Sequence, residues 1–583
     1  MKFLRNLLAV IVGLFVFSFI MLFILMGLIS ISSKEKVVNI SDNSVLQIVL
    51  NGNIVEREID DPLAELSFAG TGQREMGLKE IKEAIRHAAS DDKIKGIYLE
   101  PRLFSAGFAS LDEIRKELEK FKESGKFIVS YSDFYLEKGY YLASIADEIY
   151  LTPDYGSIEF NGLNVEVVFF KGTFEKLGIE PQIFRVGDYK GAVEPFMRKD
   201  FSEENKEQIS SFVNSIYDHT LHQMADSRGL TYEEIKHISD SMLIREGRDA
   251  VKYQLITDVA YVNDVHDVLR EKLSLESGDD INMVSYRKYN KSYAGSGYSK
   301  DRVAVIVGSG GIIIGKGDSR SIGAQKYTEL IREARKNSRV KAIVLRINSG
   351  GGSALASDVI WNEIQLAARE KPVIASLSDV AASGGYYIAM GCDSIIASPA
   401  TITGSIGIFG MIFNTQDLME NKLGITFDNV NTGHFSDIYT FTRPLTPYEK
   451  QIIQSIVEEG YKTFTSKAAE NRDMPLEELL KVASGRVWSG IEAKEAGLID
   501  AFGTLEDAIK MAAEKADIEE YRIVYYPQQK TILEQIMSDL SDDVQTRWLK
   551  LKMGDLFPYF EKIQEIQDYK GIQTRMPYSF EMN

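Results

Sequence analysis

Ser378-Asp379-Val380-Ala381-Ala382-Ser383-Gly384-Gly385-Tyr386-Tyr387 has a counterpart 246 residues earlier, Ser132-Asp133-Phe134-Tyr135-Leu136-Glu137-Lys138-Gly139-Tyr140-Tyr141. The flanks agree and the centre does not: Glu137 stands where Ser383 stands. At the same offset Ile94-Lys95-Gly96-Ile97-Tyr98-Leu99 pairs with Val340-Lys341-Ala342-Ile343-Val344-Leu345, Asp147 with Asp393, and Pro153 with Pro399. Gly247 and Ala250 pair with Gly490 and Ala493 after small deletions. A period this long denotes two whole domains, not a solenoid. Each copy opens on an apolar run, at residues 45–50 and 303–307, then alternates amphipathic helical patterns with short buried runs. That alternation predicts βαβ units and a mostly parallel sheet, an α/β fold. The expected boundaries are a segment at 1–36, a first domain at 40–284, a polar Gly/Ser-rich linker at 285–301, a second domain at 302–525 and a helical tail at 526–583.

The two copies have lost different things. After the strand ending at Leu345 the second copy reads Arg346-Ile347-Asn348-Ser349-Gly350-Gly351-Gly352-Ser353, and the first has Glu100-Pro101-Arg102-Leu103-Phe104-Ser105-Ala106-Gly107 there. Conversely, Val186-Gly187-Asp188-Tyr189-Lys190 pairs with Thr432-Gly433-His434-Phe435-Ser436, so Lys190 has become Ser436. One copy keeps a serine and a glycine loop; the other keeps a lysine.

A serine hydroxyl needs a base to become a nucleophile. Lysine can serve only as the neutral amine, and burial between two packed domains disfavours the ammonium. Ser-Lys pairs are a known variant of the serine-hydrolase constellation. Acyl transfer also needs N–H donors for the oxyanion. The Gly350-Gly351-Gly352 loop and Gly384, which follows the serine, are candidates because backbone without Cβ can approach a carbonyl closely. Taken singly, Ala-Ala-Ser-Gly-Gly reads as a helix start packed on a strand, Gly-Gly-Gly as a loop, and a lysine in Asp-Tyr-Lys-Gly as a solvated surface residue. No Gly-Lys-Ser/Thr follows the glycines, which speaks against a phosphate cradle. Complementary retention at matched positions is what packing does not explain.

These residues resemble the signal peptide peptidases of the protease IV type, in their long duplicated form. The resemblance is carried by Asn348-Ser349-Gly350-Gly351-Gly352-Ser353, Asp379-Val380-Ala381-Ala382-Ser383-Gly384-Gly385-Tyr386-Tyr387, Thr403-Gly404-Ser405-Ile406-Gly407 and Gly187-Asp188-Tyr189-Lys190-Gly191-Ala192-Val193-Glu194-Pro195-Phe196. Ser484-Gly485-Arg486-Val487-Trp488-Ser489-Gly490, with Ala496-Gly497-Leu498-Ile499-Asp500, matches a later helix-turn signature. The likeness spans roughly residues 40–520. It implies two tandem crotonase/Clp-protease-like domains, Ser383 as nucleophile, Lys190 as general base, Ser405 orienting the amine, Gly351 and Gly384 as oxyanion donors, and a bowl-like homotetramer. Gly350 replaces the family's usual proline, which would stiffen that loop.

No charge occurs from Asn6 through Ser33, and Leu, Ile, Phe and Val dominate the stretch. Some 20 apolar residues span a bilayer core and a secretory signal has a shorter apolar region, so residues 7–31 read as an uncleaved transmembrane anchor. Flanking charge only weakly favours the amino terminus inside. The resemblance puts the catalytic domains on the periplasmic side of a bacterial inner membrane.

With 67 Lys and Arg against 85 Asp and Glu, the formal charge is −18, which argues against nonspecific nucleic-acid binding. The one cysteine, Cys392, excludes an intrachain disulfide and reads as buried packing. The six histidines are scattered, His219 and His222 read as facing solvent from a helix, and neither a metal nor a cofactor is implied. In the tail, Ile532, Ile536, Leu540, Val544 and Trp548 form an amphipathic helical stripe, suited to docking on the body or a neighbouring subunit, or to lying on a membrane.

The leading reading is a membrane-anchored serine endopeptidase that degrades cleaved signal peptides and other short hydrophobic peptides through an acyl-enzyme. The alternatives are an acyl-CoA enzyme of crotonase type, a non-catalytic membrane scaffold, and a Ser-His pair using His434.

Overall fold

A computed structural model describes residues 5–6, 10–18, 20–21, 39–58, 75–293, 299–318, 320–528 and 571–576. Most of the expected anchor and the whole expected tail stripe lie outside the described residues. Among the described residues no helix is long and apolar enough to cross a membrane.

The duplication is visible element by element. Helices Leu78–Ser90 and Ala324–Lys336, strands Ile94–Ser105 and Val340–Ser349, and helices Phe108–Glu123 and Ala354–Ala368 all start 246 residues apart. So do strands Phe127–Ser132 and Val373–Ala382, and Glu148–Leu151 and Ser394–Ala397. In the first half, strands Met283–Ser285, Ser44–Val55, Ile94–Ser105, Phe127–Ser132, Glu148–Leu151 and Asp258–Val259 lie side by side, all parallel. The second half repeats the order with Arg522–Tyr526, Arg302–Ser309, Val340–Ser349, Val373–Ala382, Ser394–Ala397 and Ala501–Phe502. Apolar side chains fill both faces of each sheet, as a parallel sheet requires.

Two boundary expectations change. The expected linker begins inside the first domain: helix Tyr286–Asn290 follows strand Met283–Ser285, and Tyr286 and Tyr289 are buried in the first core. Polar composition concealed two aromatic anchors one helical turn apart. The tail, expected to be helical, contributes a strand, Gly571–Arg575.

The halves are joined by a third sheet and a buried polar interface. Strand Glu180–Arg185 of the first half runs antiparallel to Phe409–Asn414 of the second. Arg346, 1% exposed, donates to Glu56 and Glu113 of the first half, at 2.7 Å each, and to Ser376 and Ser378 of its own. Lys82 bonds both Glu113 and Glu506, so this charge network alternates sign across the boundary. Buried cations so paired stay charged: despite the cost of burial, Glu113 and Glu506 hold Lys82 above the ordinary lysine value. Asp379 accepts from Ser110 N at 2.8 Å and Ser110 Oγ at 2.6 Å, satisfying the first turn of helix Phe108–Glu123 from across the interface. A Cβ on Gly107 would stand 2.1 Å from that carboxylate carbon, so only glycine admits it there.

Candidate active site

Ser383 sits between strand Val373–Ala382 and the short helix Gly384–Ala389. Its backbone is left-handed, with φ 54° and ψ −111°, a conformation that costs a non-glycine residue of order 1–3 kcal/mol. The turn is fixed by Ser383 N donating to Gly404 O at 2.8 Å and Tyr387 N donating to Ser383 O at 2.8 Å. Gly385 packs against strand Val340–Ser349, where a Cβ would meet Ser349 O at 2.4 Å. The small residues around the serine are there because backbones touch.

Lys190 arrives from the first half, on the loop after strand Glu180–Arg185. The Ser484-Gly485-Arg486 stretch seats it. Gly485 has φ +82°, and a Cβ there would lie 2.8 Å from Lys190 Cα, while Gly187, at φ +92°, would strike Ser484 O at 2.4 Å. Tyr189 N donates to Ser484 O at 3.2 Å, and Gln208 donates to Tyr189 O at 2.9 Å while accepting from Val487 N at 2.9 Å.

Lys190 Nζ is 2.8 Å from Ser383 Oγ, 2.9 Å from Ser405 Oγ and 3.2 Å from Ser405 O. All three residues are fully buried. Burial pushes the Lys190 pKa well below the ordinary lysine value, and no carboxylate offsets it. A neutral amine offers two N–H groups and one lone pair. Two N–H groups donating to Ser405 Oγ and Ser405 O leave the lone pair to accept from Ser383 O–H, so every slot is filled. Ser405 itself is left-handed, φ 52°, with its N–H donating to Arg486 O at 2.6 Å.

The glycine loop departs from expectation in one respect. Gly351 N donates to Ser349 Oγ at 3.1 Å instead of pointing free toward a substrate. What Gly351 supplies is space: with φ +97°, its missing Cβ would stand 2.6 Å from Gly384 N. The side chain's absence keeps open the region beside the N–H that follows Ser383.

Other expected residues fall elsewhere. His434 is exposed, on a segment whose Ser436 bonds back to Gly433, and no contact joins it to the buried Ser383. Cys392 is buried in the second core and its thiol pKa is pushed up by burial, in line with packing. His222 is exposed and stacked on Tyr232. His219 corrects the solvent-facing expectation: it is half-buried, 3.2 Å from the buried carboxylate of Asp112. Residue type alone concealed the roles of Asp379, Arg346 and Gly485, whose partners are more than 200 residues away. In the first half, the equivalent of Ser383 is Glu137, which accepts from Gly162 N at 3.1 Å and whose pKa burial raises to about 7.

Sequence comparison agrees with the geometry. The signature of Peptidase family S49 matches twice, at residues 120–276 and 365–519. Serine protease SPPA, chloroplastic, from Arabidopsis thaliana is 37% identical over 86% of this chain and 74% of its own length. Protease 4 from Salmonella typhi is 36% identical over 81% of this chain and 77% of its own. Protease 4 from Haemophilus influenzae is 32% identical over 95% of this chain and 92% of its own. Acyl-CoA and scaffold readings give way to these matches: the chain belongs to peptidase family S49 and is a serine-type peptidase with two family domains in tandem.

Proposed function

We propose that Ser383 is the nucleophile and Lys190 its general base, in a site completed only when the two halves meet. The observation that carries this is the 2.8 Å contact between Nζ and Oγ in a buried pocket where no carboxylate sustains an ammonium. Ser383 Oγ attacks the substrate carbonyl carbon as its proton passes to Lys190 Nζ. Lys190 then protonates the leaving amine and afterwards takes a proton from the water that hydrolyses the acyl-enzyme. Ser405 orients the amine, and Gly384 N–H, beside the space at Gly351, faces the developing oxyanion.

The substrates are cleaved signal peptides and other short hydrophobic peptides, in keeping with the small, glycine-lined surroundings of the serine. Residues 7–31 anchor the chain in an inner membrane with its catalytic halves on the extracytoplasmic side; the exposed apolar side chains of Val10, Leu14, Phe15 and Phe17 support this. Each half has the crotonase/Clp-like arrangement of a parallel sheet, and only the second keeps a glycine loop after the strand Val340–Ser349. A homotetramer would cover exposed Val430, Tyr439 and Phe441.

Ser383→Ala and Lys190→Ala should each remain folded and lose nearly all peptide hydrolysis. A serine-directed phosphonate should label Ser383 in the native enzyme and fail on Lys190→Ala. Substantial hydrolysis by either folded variant overturns the dyad.

A further inference from the structure

The loop that carries Lys190 is held at both ends by one helix. The loop runs from Tyr189 to Glu194, and the helix Glu203–Arg228 follows it. Gln208, fully buried on the second turn of that helix, donates through Nε2 to Tyr189 O at 2.9 Å and to Asn205 Oδ1 at 2.7 Å. Asn205, also fully buried, donates through Nδ2 to Glu194 Oε2 at 3.0 Å. Tyr189 precedes the lysine and Glu194 stands four residues after it, so the relay closes a ring around the base. The ring is tight: a Cβ on Gly191 would lie 2.7 Å from the Asn205 carboxamide.

The remaining polar atom of Gln208 crosses the domain boundary. Its Oε1 accepts from Val487 N at 2.9 Å. Val487 follows Arg486, whose carbonyl accepts from Ser405 N at 2.6 Å. One side chain therefore joins the backbone beside the base to the backbone that seats Ser405. A carboxamide suits this task, because a carboxylate has no donor for Tyr189 O and an ammonium has no acceptor for Val487 N. The two backbone partners also fix which end of the amide is nitrogen.

The other copy separates this bridge from ordinary packing. The N-caps Ser202 and Thr446 put the helices Glu203–Arg228 and Pro447–Asn471 in register. Gln208 is six residues past the first cap, and six past the second stands Ile452, whose side chain forms no hydrogen bond. Asn205 is matched by Glu449, whose carboxylate pairs with Arg443. The copy that lacks the lysine lacks the glutamine as well.

We propose that Gln208 is a positioning residue for the peptidase reaction: by tying the base-bearing loop to the second half, its amide fixes where the Lys190 amine stands relative to Ser383 and Ser405. The inference rests on the Ser383–Lys190 reading. Gln208 touches no reacting atom and acts only through the loop. Without the bridge the loop is released at Tyr189, and the amine drifts from its 2.8 Å contact with Ser383 Oγ. A displacement of about 1 Å costs roughly a hundredfold in rate.

Two variants of the full chain test this. Gln208→Met keeps the length and removes every hydrogen bond. Gln208→Glu keeps the acceptor for Val487 N, and as a carboxylate it has no donor for Tyr189 O. Steady-state hydrolysis of a fluorogenic peptide is measured per folded molecule, with the folded fraction read from circular dichroism and urea titration. Gln208→Met should lower kcat about a hundredfold and leave KM within about twofold, and Gln208→Glu should lower kcat about tenfold or more. Combining Gln208→Met with Ser405→Ala should cost less than the product of the two single losses, because both act through the same amine. A residue that only supports the fold would lower the folded fraction and leave kcat per folded molecule unchanged. A kcat loss under about tenfold in either folded variant, a loss carried by KM, or a double variant that loses the full product overturns the proposal. Failure of both variants to fold assigns Gln208 to stability and overturns it too. All these outcomes leave the dyad standing while folded Lys190→Ala is inactive; a folded Lys190→Ala that hydrolyses the peptide would instead refute the dyad.

Discussion

Ser405→Ala isolates one hydrogen bond in a site where all are accounted for. The Lys190 amine lies 2.9 Å from Ser405 Oγ and 3.2 Å from Ser405 O, and Ser383 Oγ takes the remaining direction at 2.8 Å. Alanine removes only the hydroxyl. It keeps the Cβ at a residue already left-handed, φ 52°, and it leaves the Ser405 N–H to Arg486 O bond in place. One buried amine N–H is then unpaired, which costs about 1–3 kcal/mol. The lone pair is also free to swing from Ser383. If that whole cost falls on the transition state, kcat/KM drops by about 5- to 150-fold. The loss should appear in kcat, with KM little changed, because Ser405 acts through Lys190 and meets no substrate. Steady-state hydrolysis of a fluorogenic peptide reads this, with phosphonate labelling as an independent measure of nucleophile reactivity. Ser405→Gly should be equally slow yet at least as stable, since glycine relieves the left-handed strain. A Ser405→Ala enzyme within twofold of native, or one as inactive as Lys190→Ala, would refute the orientation argument.

Because Lys190 must be neutral to accept a proton and burial lowers its pKa, kcat/KM should rise with pH through a single ionisation well below the ordinary lysine value of 10.5 and then level; a profile still climbing at pH 10 contradicts the reading. Glu137 should make stability pH-dependent. Its folded pKa of about 7 lies above the ordinary 4.5, so no penalty exists below pH 4.5, stability falls as pH rises between the two values, and about 3 kcal/mol is gone above pH 7. Glu137→Gln should flatten that slope in urea titrations. Arg346→Met should cost about 3–5 kcal/mol by leaving the buried Glu56 without its cation and taking from Glu113 one of its two, and combining it with Glu56→Met should cost less than the sum of the two single changes.

The duplication was legible because insertions spared the stretch from Leu78 to Leu151, so one offset carries every element onto its copy. The proposed pairing of Lys190 with Ser383 was legible for a related reason: each is a departure from a matched position, and a departure stands out where the frame is constant. What stayed hidden depends on contacts that no local pattern encodes. Asp379 sits in the same motif as the nucleophile and reads as one more polar residue, yet it serves a helix of the other half. Gly485 reads as a turn glycine, and its true constraint is the backbone of Lys190. The segment Gly571-Ile572-Gln573-Thr574-Arg575 offers only two β-formers, Ile572 and Thr574, in five residues, too short a pattern to announce a strand, and it takes its order from two flanking strands.

Among the described residues, the interface between the halves holds two fully buried lysines, Lys82 and Lys190, and the contrast between them bears on the proposed chemistry. Lys82 faces Glu113 and Glu506, which raise its pKa against the cost of burial, so it is a fixed cation that holds the halves together. Lys190 faces only serine hydroxyls and a backbone carbonyl, so the same burial makes it a neutral amine. Hydroxyls can satisfy an amine's hydrogen bonds without stabilising its charge, whereas a carboxylate does both. Joining the halves therefore does two things at once. It excludes the water that would keep Lys190 protonated, and it sets that amine on Ser383, whose counterpart in the other copy is Glu137. If Lys190 is the base, as proposed, neither half could retain the activity alone, because the amine and the burial that neutralises it come from opposite sides of the same boundary.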